Sequence, residues 1–345
     1  MRRAAKAGAL AAGLVMTQAS AEHAAYEVLA FADLKGWEHD DHDAALQVFK
    51  VTCADMDDPD WLSLCALATN QENARTFFEL FFRPVLITDG SPALFTGYFE
   101  PELTGSRTRT DKYRYPLYRK PPEVQNGRTW FTRAEIEENG LLEGRGLEIA
   151  WIDDPVDVFF LQVQGSGRVR FPDGTGTRVG YGGKNGHASR SIGQELVRRG
   201  IYEANQVSAQ VIRNWVRRNP VEGAKLLRHN PSFVFFREVK RVPAHKGPLG
   251  AMNRSITAMR SIAVDPDYVP LGAPVWTEKG GGTALRRLMV AQDTGSAIQG
   301  AQRADIFFGT GDAAGRAAGK VRDPGRMIVL MPIQHAYALA PEGTG

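Results

Sequence analysis

A chain of 345 residues is long enough for two domains. Its 43% hydrophobic and 23% charged residues are typical of a globular protein, which excludes a disordered chain and a chain built of membrane spans. The 36 glycines and 19 prolines favour many short strands and turns over long helices.

The first 21 residues have the features of a cleaved export signal. Three basic residues precede a short apolar segment at 8–16, and Ala19-Ser20-Ala21 is a small-residue cleavage site. An amphipathic N-terminal helix of a cytosolic protein is the alternative. Cleavage removes Arg2, Arg3 and Lys6 and no acidic residue, so the formal net charge falls from +3 to zero. The charge therefore gives no indication of a nucleic-acid partner.

From the signal to about Phe82 the chain is predicted to be helical, with a clear helical pattern at residues 43–50. The cluster His39-Asp40-Asp41-His42-Asp43 before this pattern contains metal-ligand residue types. An aspartate that caps the helix and complements its dipole explains the cluster with fewer assumptions, so we expect no metal there.

The only cysteines are Cys53 and Cys65. An even pair in an exported chain indicates a disulfide, and two buried free thiols are the alternative. Two ligands without suitably spaced histidines do not make a zinc site.

From Pro84 onward the chain is predicted to form short strands separated by turns. The predicted strands are 85–88, 93–99, 156–164, 169–171 and 177–181, with more between Ser232 and Met331. Among them are three predicted helices: one from Thr132 with a capping box at Glu135, and two amphipathic ones at 189–199 and 205–218. Asp312 is predicted to cap a helix at 313–319.

Three aspartates lie beside short apolar runs in one stretch of the chain. Asp265 follows SIAV, Asp293 follows MVAQ, and Asp305 precedes IFFG. A carboxylate in such a place must be hydrogen-bonded, paired, or kept neutral by a raised pKa, and general acid chemistry at neutral pH needs such a carboxyl. Turn capping is the alternative for each one alone, but the three together favour a catalytic site.

These segments resemble the three-aspartate (3D) domain of the lytic murein transglycosylase A family (MltA). Further motifs follow in the family's order, so the resemblance runs from about Phe95 to Pro332. They are FTGYFEP at 95–101, FLQVQGSG at 160–167, YGGKNGH at 181–187 and NPSFVFF at 230–236. Several motifs in order are far more specific than a single short match.

The resemblance implies a mainly β fold with helices (α+β) and two domains. A double-psi β-barrel catalytic domain, with the N-terminal helices packed on it, would comprise residues 22–100 and 231–345. A smaller β-rich substrate-binding domain at 101–230 would be inserted in it. The groove between two domains is a favoured place for a ligand site.

The resemblance also implies a peptidoglycan lytic exotransglycosylase, a lyase without a cofactor, although the residues do not distinguish exo from endo action. Such enzymes cleave the β-1,4 bond between MurNAc and GlcNAc without water, because the C6 hydroxyl of MurNAc attacks its own anomeric carbon. One carboxyl can then serve first as acid and next as base, provided that burial or a neighbouring acid raises its pKa.

By position, Asp305 matches the family's catalytic acid/base. Asp293 matches a neighbouring aspartate that would stabilise the positive transition state or raise the pKa of Asp305 by like-charge repulsion. Asp265 is expected to be structural, holding a strand end by side-chain hydrogen bonds. Ser296 stands where the family more often has a glycine.

The expected substrate-binding residues are Thr96, Tyr98, Gln164 and Ser166. Thr96, Gln164 and Ser166 would hydrogen-bond the sugar, with a tight turn as the alternative for Gln164 and Ser166. Aromatic faces for sugar stacking are offered by Tyr98, Phe99, Trp151 and Tyr181, with an ordinary core position as the alternative for each.

The expected partners are peptidoglycan glycan strands and other cell-wall enzymes, with no nucleic acid. Many members of the family are lipoproteins with a cysteine at the cleavage site, but here no cysteine precedes Cys53. We therefore expect a periplasmic protein that is soluble or loosely bound to the wall, without a lipid anchor.

Two other functions are compatible with parts of the sequence. Asp293-Thr294-Gly295 is also the short signature of aspartic proteases, which here would need a symmetric homodimer. A non-catalytic cell-wall polysaccharide-binding protein of the expansin type is the second alternative.

Overall fold

The computed structural model describes residues 24–339, so the predicted signal at 1–21 lies outside the described residues. The described part is a mixed α/β fold with two sheets. The strands are β1 (Ala25–Val28), β2 (Phe82–Thr88), β3 (Leu94–Glu100), β4 (Glu102–Ser106), β5 (Tyr115–Tyr118), β6 (Glu148–Ile152), β7 (Gly167–Arg170), β8 (Gly176–Lys184), β9 (Val234–Glu238), β10 (Ser261–Val264), β11 (Pro274–Lys279), β12 (Leu285–Asp293), β13 (Arg303–Thr310), β14 (Arg322–Asp323) and β15 (Gly325–Pro332).

Ten α-helices are found within residues 24–339, and no helix there is long and apolar enough to cross a membrane. They are α1 (His42–Thr52), α2 (Pro59–Ala68), α3 (Ala74–Phe81), α4 (Arg133–Glu138), α5 (Pro155–Gln164), α6 (Ile192–Arg198), α7 (Ala209–Arg218), α8 (Pro220–Arg228), α9 (Gly311–Ala318) and α10 (Ile333–Leu339).

The larger sheet has nine strands in the order β1-β2-β15-β11-β12-β10-β13-β3-β14. Most neighbours are antiparallel, but β10 is parallel to β12 and β13 is parallel to β3. The pairing of the described strands is open, with β1 and β14 at the two ends, and does not close into a ring. Its interior and the helices α1–α3 share one apolar core, in which Phe49, Phe82 and Trp276 are fully buried.

The smaller sheet has six strands in the order β5-β6-β4-β7-β8-β9. Its last strand, Val234–Glu238, lies in the segment that the sequence assigned to the barrel, yet it pairs with β8. Strand β9 therefore belongs structurally with the smaller sheet. The sequence pattern of a strand does not reveal which sheet it joins, since any edge with a matching register can accept it.

The prediction of a strand at 156–164 was wrong, because these residues form helix α5. Asp154 caps the helix by accepting a hydrogen bond from the Val156 amide at 2.9 Å, and Pro155 occupies the first turn. Gly165 ends it in the left-handed conformation, with φ 78°. A short apolar run fits a buried strand and a buried helix equally well, so the capping residues decide.

The N-terminal region is helical as predicted, except that it begins with strand β1. Asp41 is the N-cap of α1 and accepts a hydrogen bond from the Ala44 amide at 2.9 Å. Cys53 and Cys65 are joined by a disulfide across the α1–α2 connection, with 5.4 Å between their Cα atoms. At the other end of the chain, the Asp312 prediction needs correction: α9 starts at Gly311 with Thr310 as N-cap.

A buried ion network connects the two sheets where the chain passes from β3 to β4. Glu100 is fully buried, and its carboxylate oxygens lie 2.9 Å from Arg168 Nε and 2.9 Å from Arg178 Nε. Both arginines belong to the smaller sheet and also bind the Lys246 carbonyl in the segment that leads back to β10. A buried carboxylate needs such pairing, and the network holds the two sheets in one arrangement.

Candidate active site

Two of the three aspartates lie on strands that flank β10. In the register of the sheet, Ala263 of β10 pairs with Asp293 of β12 on one side and with Asp305 of β13 on the other. Residues opposite each other on neighbouring strands project to the same face. Both aspartates accordingly line the same cavity of about 320 Å³.

Asp305 is half-buried and borders the cavity. Thr96 Oγ1 donates a hydrogen bond to Asp305 Oδ1 at 2.6 Å. Burial raises the pKa of Asp305, while the Thr96 hydrogen bond and the charge of Arg303 oppose this rise. A carboxyl in this condition favours its neutral form more than an exposed aspartate does.

Burial is the first cause of the raised pKa of both aspartates. Like-charge repulsion between the two carboxyls acts as well, since the charge of Asp305 is among the causes that raise the pKa of Asp293. Repulsion is mutual, so it disfavours ionisation of both carboxyls at once.

Asp293 accepts three hydrogen bonds. The donors are Tyr98 Oη at 2.8 Å, the Thr294 amide at 2.9 Å and the Ala251 amide at 3.1 Å. Burial raises the pKa of Asp293 to about 6, against the effect of these donors. At neutral pH the group is therefore mainly an anion that is held in a fixed position.

Arg303 is a site residue that the sequence analysis missed. Its Nη2 donates to Thr96 Oγ1 at 2.9 Å, and Thr96 in turn donates to Asp305. A guanidinium has no acceptor, so Thr96 must accept from Arg303 and has its single hydroxyl proton left for Asp305. The spacing in the sequence could have pointed to Arg303, because residues two apart on a strand share a face and Arg303 precedes Asp305 by two on β13.

The groove between the two sheets continues from this cavity into a second one of about 600 Å³. Gln164 and Asp293 line both cavities, whereas Ser166 and Tyr181 line the second. Gln164 Oε1 accepts the Phe99 amide hydrogen bond at 3.0 Å, which ties α5 to the end of β3. Tyr181 is 51% exposed, so its ring is free to contact a ligand.

The other predicted binding residues have different surroundings. Thr96 and Tyr98 lie at the aspartates, where their hydroxyls are donors to Asp305 and Asp293. Phe99 packs against Gly315 of α9, and Trp151 lies on β6 beneath the Arg109 guanidinium. Neither ring lines the two cavities of the groove.

Asp265 makes the strand-end contacts that the sequence suggested. Its Oδ1 accepts from the Asp267 amide at 3.1 Å, and its Oδ2 accepts from the Gly300 amide at 2.7 Å. It does not line the aspartate cavity, whereas Ser296, the departure from the family pattern, lines both cavities of the groove.

The aspartate cavity is also lined by polar residues for which the sequence suggested no role. Arg133 is one of them; it is buried and donates from Nη2 to Gln162 Oε1 at 2.6 Å. Asn230 and Ser232 line the same cavity. Both residues belong to the family motif at 230–236, which could have identified them as lining the site.

One group of possible metal ligands occurs among residues 24–339: Asp58, Asp60 and His335. It is away from the groove, and Asp58 already caps α2. In the His39–Asp43 cluster, Asp41 caps α1 and Asp40 pairs with Arg260 at 2.7 Å.

A groove with two half-buried carboxyl groups of raised pKa has the features of a site for general acid–base catalysis. Two family models match the chain: the MltA specific insert domain at residues 94–237 and the 3D domain at residues 260–331. The chain belongs to the lytic murein transglycosylase A family.

Relatives with this name are similar over most of the chain. Membrane-bound lytic murein transglycosylase A of Vibrio cholerae is 36% identical over 263 residues, which are 72% of this chain and 69% of that protein. The Escherichia coli K12 protein of the same name is 39% identical over 246 residues, which are 68% of this chain and 65% of its own length.

Solved structures match a larger share of this chain than the sequences of these relatives do. Membrane-bound lytic murein transglycosylase from Agrobacterium tumefaciens is 34% identical with a TM-score of 0.81, covering 91% of this chain and 99% of that chain. MltA of Escherichia coli with bound chitohexaose is 30% identical with a TM-score of 0.70, covering 84% of this chain and 90% of that chain.

Proposed function

We propose that this chain is a lytic transglycosylase that cleaves the β-1,4 bond between MurNAc and GlcNAc in peptidoglycan and leaves 1,6-anhydroMurNAc ends. The observation that carries the proposal is the half-buried carboxyl of Asp305, with its raised pKa, in the groove of a chain of this family. Because burial favours its neutral form, Asp305 can begin the reaction protonated.

In the first step, Asp305 gives its proton to the glycosidic oxygen as the bond from that oxygen to C1 of MurNAc breaks. The GlcNAc residue leaves with a new hydroxyl, and positive charge develops at C1 and the ring oxygen. Asp305 is then a carboxylate, which the Thr96 hydrogen bond stabilises.

In the second step, the C6 hydroxyl of the same MurNAc attacks C1, and Asp305 accepts its proton. The new bond joins O6 to C1, and Asp305 returns to its starting form. No water is consumed, so one carboxyl is sufficient where a hydrolase needs two.

Asp293 would act through its charge. Three donors hold its carboxylate in place, and at neutral pH it is mainly ionised because its pKa is about 6. An anion fixed beside a developing positive charge needs no reorganisation during the reaction, which is the usual source of electrostatic catalysis.

Arg303 and Thr96 would set the pKa and orientation of Asp305. The carboxyl must be acidic enough to give its proton in the first step and basic enough to take one back in the second. Burial alone raises its pKa, and the Arg303–Thr96 pair limits this rise.

Gln164, Ser166 and Tyr181 are the candidates for holding the sugar chain, because they line the groove beside the aspartates. The exposed ring of Tyr181 suits stacking on a sugar face, and the two polar side chains suit sugar hydroxyls. Chitohexaose, a chain of amino sugars, is bound in the related Escherichia coli structure, and glycan strands are the corresponding substrate here.

The protease alternative is disfavoured by the contacts of the aspartates. In that alternative the Asp293 carboxyls of two copies would have to meet and share one proton. Here Asp293 accepts three hydrogen bonds within one chain, from the Tyr98 hydroxyl and from the Thr294 and Ala251 amides.

Mass spectrometry of muropeptides after incubation with purified murein tests the proposed reaction. The expected products are one water lighter than those of hydrolysis. Products of hydrolysis mass would show a different reaction class, and wall binding without products would support the expansin-like alternative.

We further propose that the two sheets mark two domains, a 3D domain with a double-psi barrel topology and an inserted one. The parallel pairs β10–β12 and β13–β3 in a mostly antiparallel sheet support the barrel topology. The insert would run from residue 101 to Glu238, and separate expression of that segment as a folded unit would test the division.

The location that we propose is the periplasm, reached by a cleaved export signal and shared with other cell-wall enzymes. The charged start and Ala19-Ser20-Ala21 support this. Intact-mass measurement of protein from the periplasmic fraction should show Glu22 as the first residue, and a full-length form recovered from the cytoplasm would contradict it.

A further inference from the structure

A further cavity of about 660 Å³ lies beside the smaller sheet, outside the aspartate groove. We call it the distal cavity; it is bordered by β5, α4, α5, α7 and α8. Ile136, Leu142 and Phe233 form a buried apolar floor, and Pro116 of β5 forms part of the wall. Its volume is within the range of pockets that hold small ligands.

The charged groups around the distal cavity fall into two sets. Those at the helical end are paired: Arg217 binds Asp154, and Arg228 lies 3.1 Å from Glu137. At the β5 end, Arg109, Arg114 and Glu143 form no ion pair anywhere in residues 24–339. The cavity therefore offers two cationic groups and one anionic group to a ligand.

Two of these charged groups, Arg109 and Glu143, act on the same side chain in the wall of the cavity. Tyr118 lines the distal cavity, and its pKa is raised to about 12, first by burial, then by the charges of Glu148 and Glu143. The charge of Arg109 opposes this rise. Arg109 and Glu143 thus both lie within electrostatic reach of one hydroxyl on the cavity wall.

We propose that the distal cavity binds a short peptide that carries at least two carboxylates and one ammonium group, the chemistry of the murein stem peptide. Arg109 and Arg114 bind the carboxylates, and Glu143 binds the ammonium group. Small side chains of the peptide contact Pro116 and Leu142. This inference rests on the proposed function, because the stem peptide is attached to the glycan that the groove cleaves.

The distal cavity and the aspartate cavity share one wall. The buried Arg133 lines both, and its Nη2 binds Gln162, which faces the groove. An enzyme that holds peptide on one side of this wall and glycan on the other contacts murein at two points. Two linked contacts strengthen binding of peptide-bearing strands without changing the reacting atoms.

The test uses the full-length protein and the free tripeptide L-Ala-γ-D-Glu-meso-diaminopimelate in titration calorimetry. Wild type should bind it, and the double variant R109A/R114A should bind at least about tenfold more weakly, equal to about 1.4 kcal/mol, since it loses the charge-assisted hydrogen bonds to the carboxylates. R241A is the matched control, because Arg241 is exposed and lines neither the groove nor the distal cavity, and it should bind like wild type.

A second readout separates binding of peptide from catalysis. The double variant should show a raised KM for intact murein and an unchanged kcat and KM for glycan strands whose peptides an amidase has removed. E143Q should lose the preference for the tripeptide over its form acetylated at the diaminopimelate amine. Equal thermal midpoints of the variants and wild type establish that they are folded.

The inference is wrong if wild type does not bind the tripeptide, or if R109A/R114A binds it as wild type does. It is also wrong if the double variant loses turnover on peptide-free strands to the same extent. A wild-type protein that cleaves neither intact murein nor peptide-free strands would contradict the proposed function instead, so the two failures are distinguishable.

Discussion

Asp293 and Asp305 lie opposite the same residue, Ala263, on the two strands that flank β10. The register therefore brings two carboxyls to one face of the sheet although each belongs to a different strand. Their hydrogen bonds differ: Asp305 receives one from a hydroxyl, whereas Asp293 receives three. Two acidic groups with different surroundings suit two different roles.

Asp305→Asn should abolish turnover in a folded protein. The amide has nearly the same shape but can neither give a carboxyl proton nor accept one, and both steps need the same group. We expect a loss of about 10⁴-fold or more, the upper end for general acid–base catalysis. Anhydro-product formation measures the loss, and an unchanged thermal midpoint with retained glycan binding is the control. Near-normal turnover of this variant would refute the role of Asp305.

Thr96→Val should shift the alkaline limb of the pH profile of kcat to higher pH. The Thr96 hydrogen bond lowers the pKa of Asp305, so its removal raises that pKa and keeps the acid protonated, as the first step requires, up to higher pH. We expect the limb to move by about one pH unit, equal to about 1.4 kcal/mol, the order of one hydrogen bond. Thr96→Ser keeps the hydroxyl and should restore the wild-type profile, whereas a profile that both variants share would contradict this role.

Asp293→Asn should reduce turnover but leave it measurable, since the variant loses a charge and not the proton donor. It should also change how stability depends on pH. The folded-state pKa of about 6 exceeds the unfolded value of about 3.9, so the wild-type group destabilises the fold increasingly as pH rises through this window.

The full effect is up to about 3 kcal/mol above pH 6, and it should be absent below about pH 4. Urea unfolding of wild type and Asp293→Asn at pH 4 and pH 7.5 measures it. Relative to wild type, the variant should gain stability between these two pH values. A constant difference between the two proteins would show that the pKa of Asp293 is not raised by folding.

The disulfide between Cys53 and Cys65 should contribute on the order of 3 kcal/mol to stability by closing a short loop in the unfolded chain. The variant Cys53→Ala/Cys65→Ala should unfold at correspondingly lower urea concentration, with turnover unchanged under folded conditions because the bridge is in the α1–α2 region. Alkylation of the unreduced, denatured wild type should label no thiol; two labelled thiols would mean that the bridge does not form.

Several features could be predicted from the sequence alone, because they depend only on residues that are close together in the chain. The capping box of Thr132 and Glu135 and the aspartate cap of α1 depend on residues three apart, so the pattern predicts them directly. The apolar runs beside the aspartates predicted strands β10, β12 and β13 because alternation and burial are properties of a short segment. The family motifs likewise identified the aspartates as the residues of interest.

Only the tertiary structure decided what each aspartate contacts. Thr96 and Asp305 are 209 residues apart, and their hydrogen bond exists because β3 lies parallel to β13 in one register. Because of the same pairing, Arg303 of β13 lies where its guanidinium can donate a hydrogen bond to Thr96. The assignment of β9 to the smaller sheet has the same origin. Strand pairing joins segments that are distant in the chain, and no local pattern specifies which edges meet or in which register.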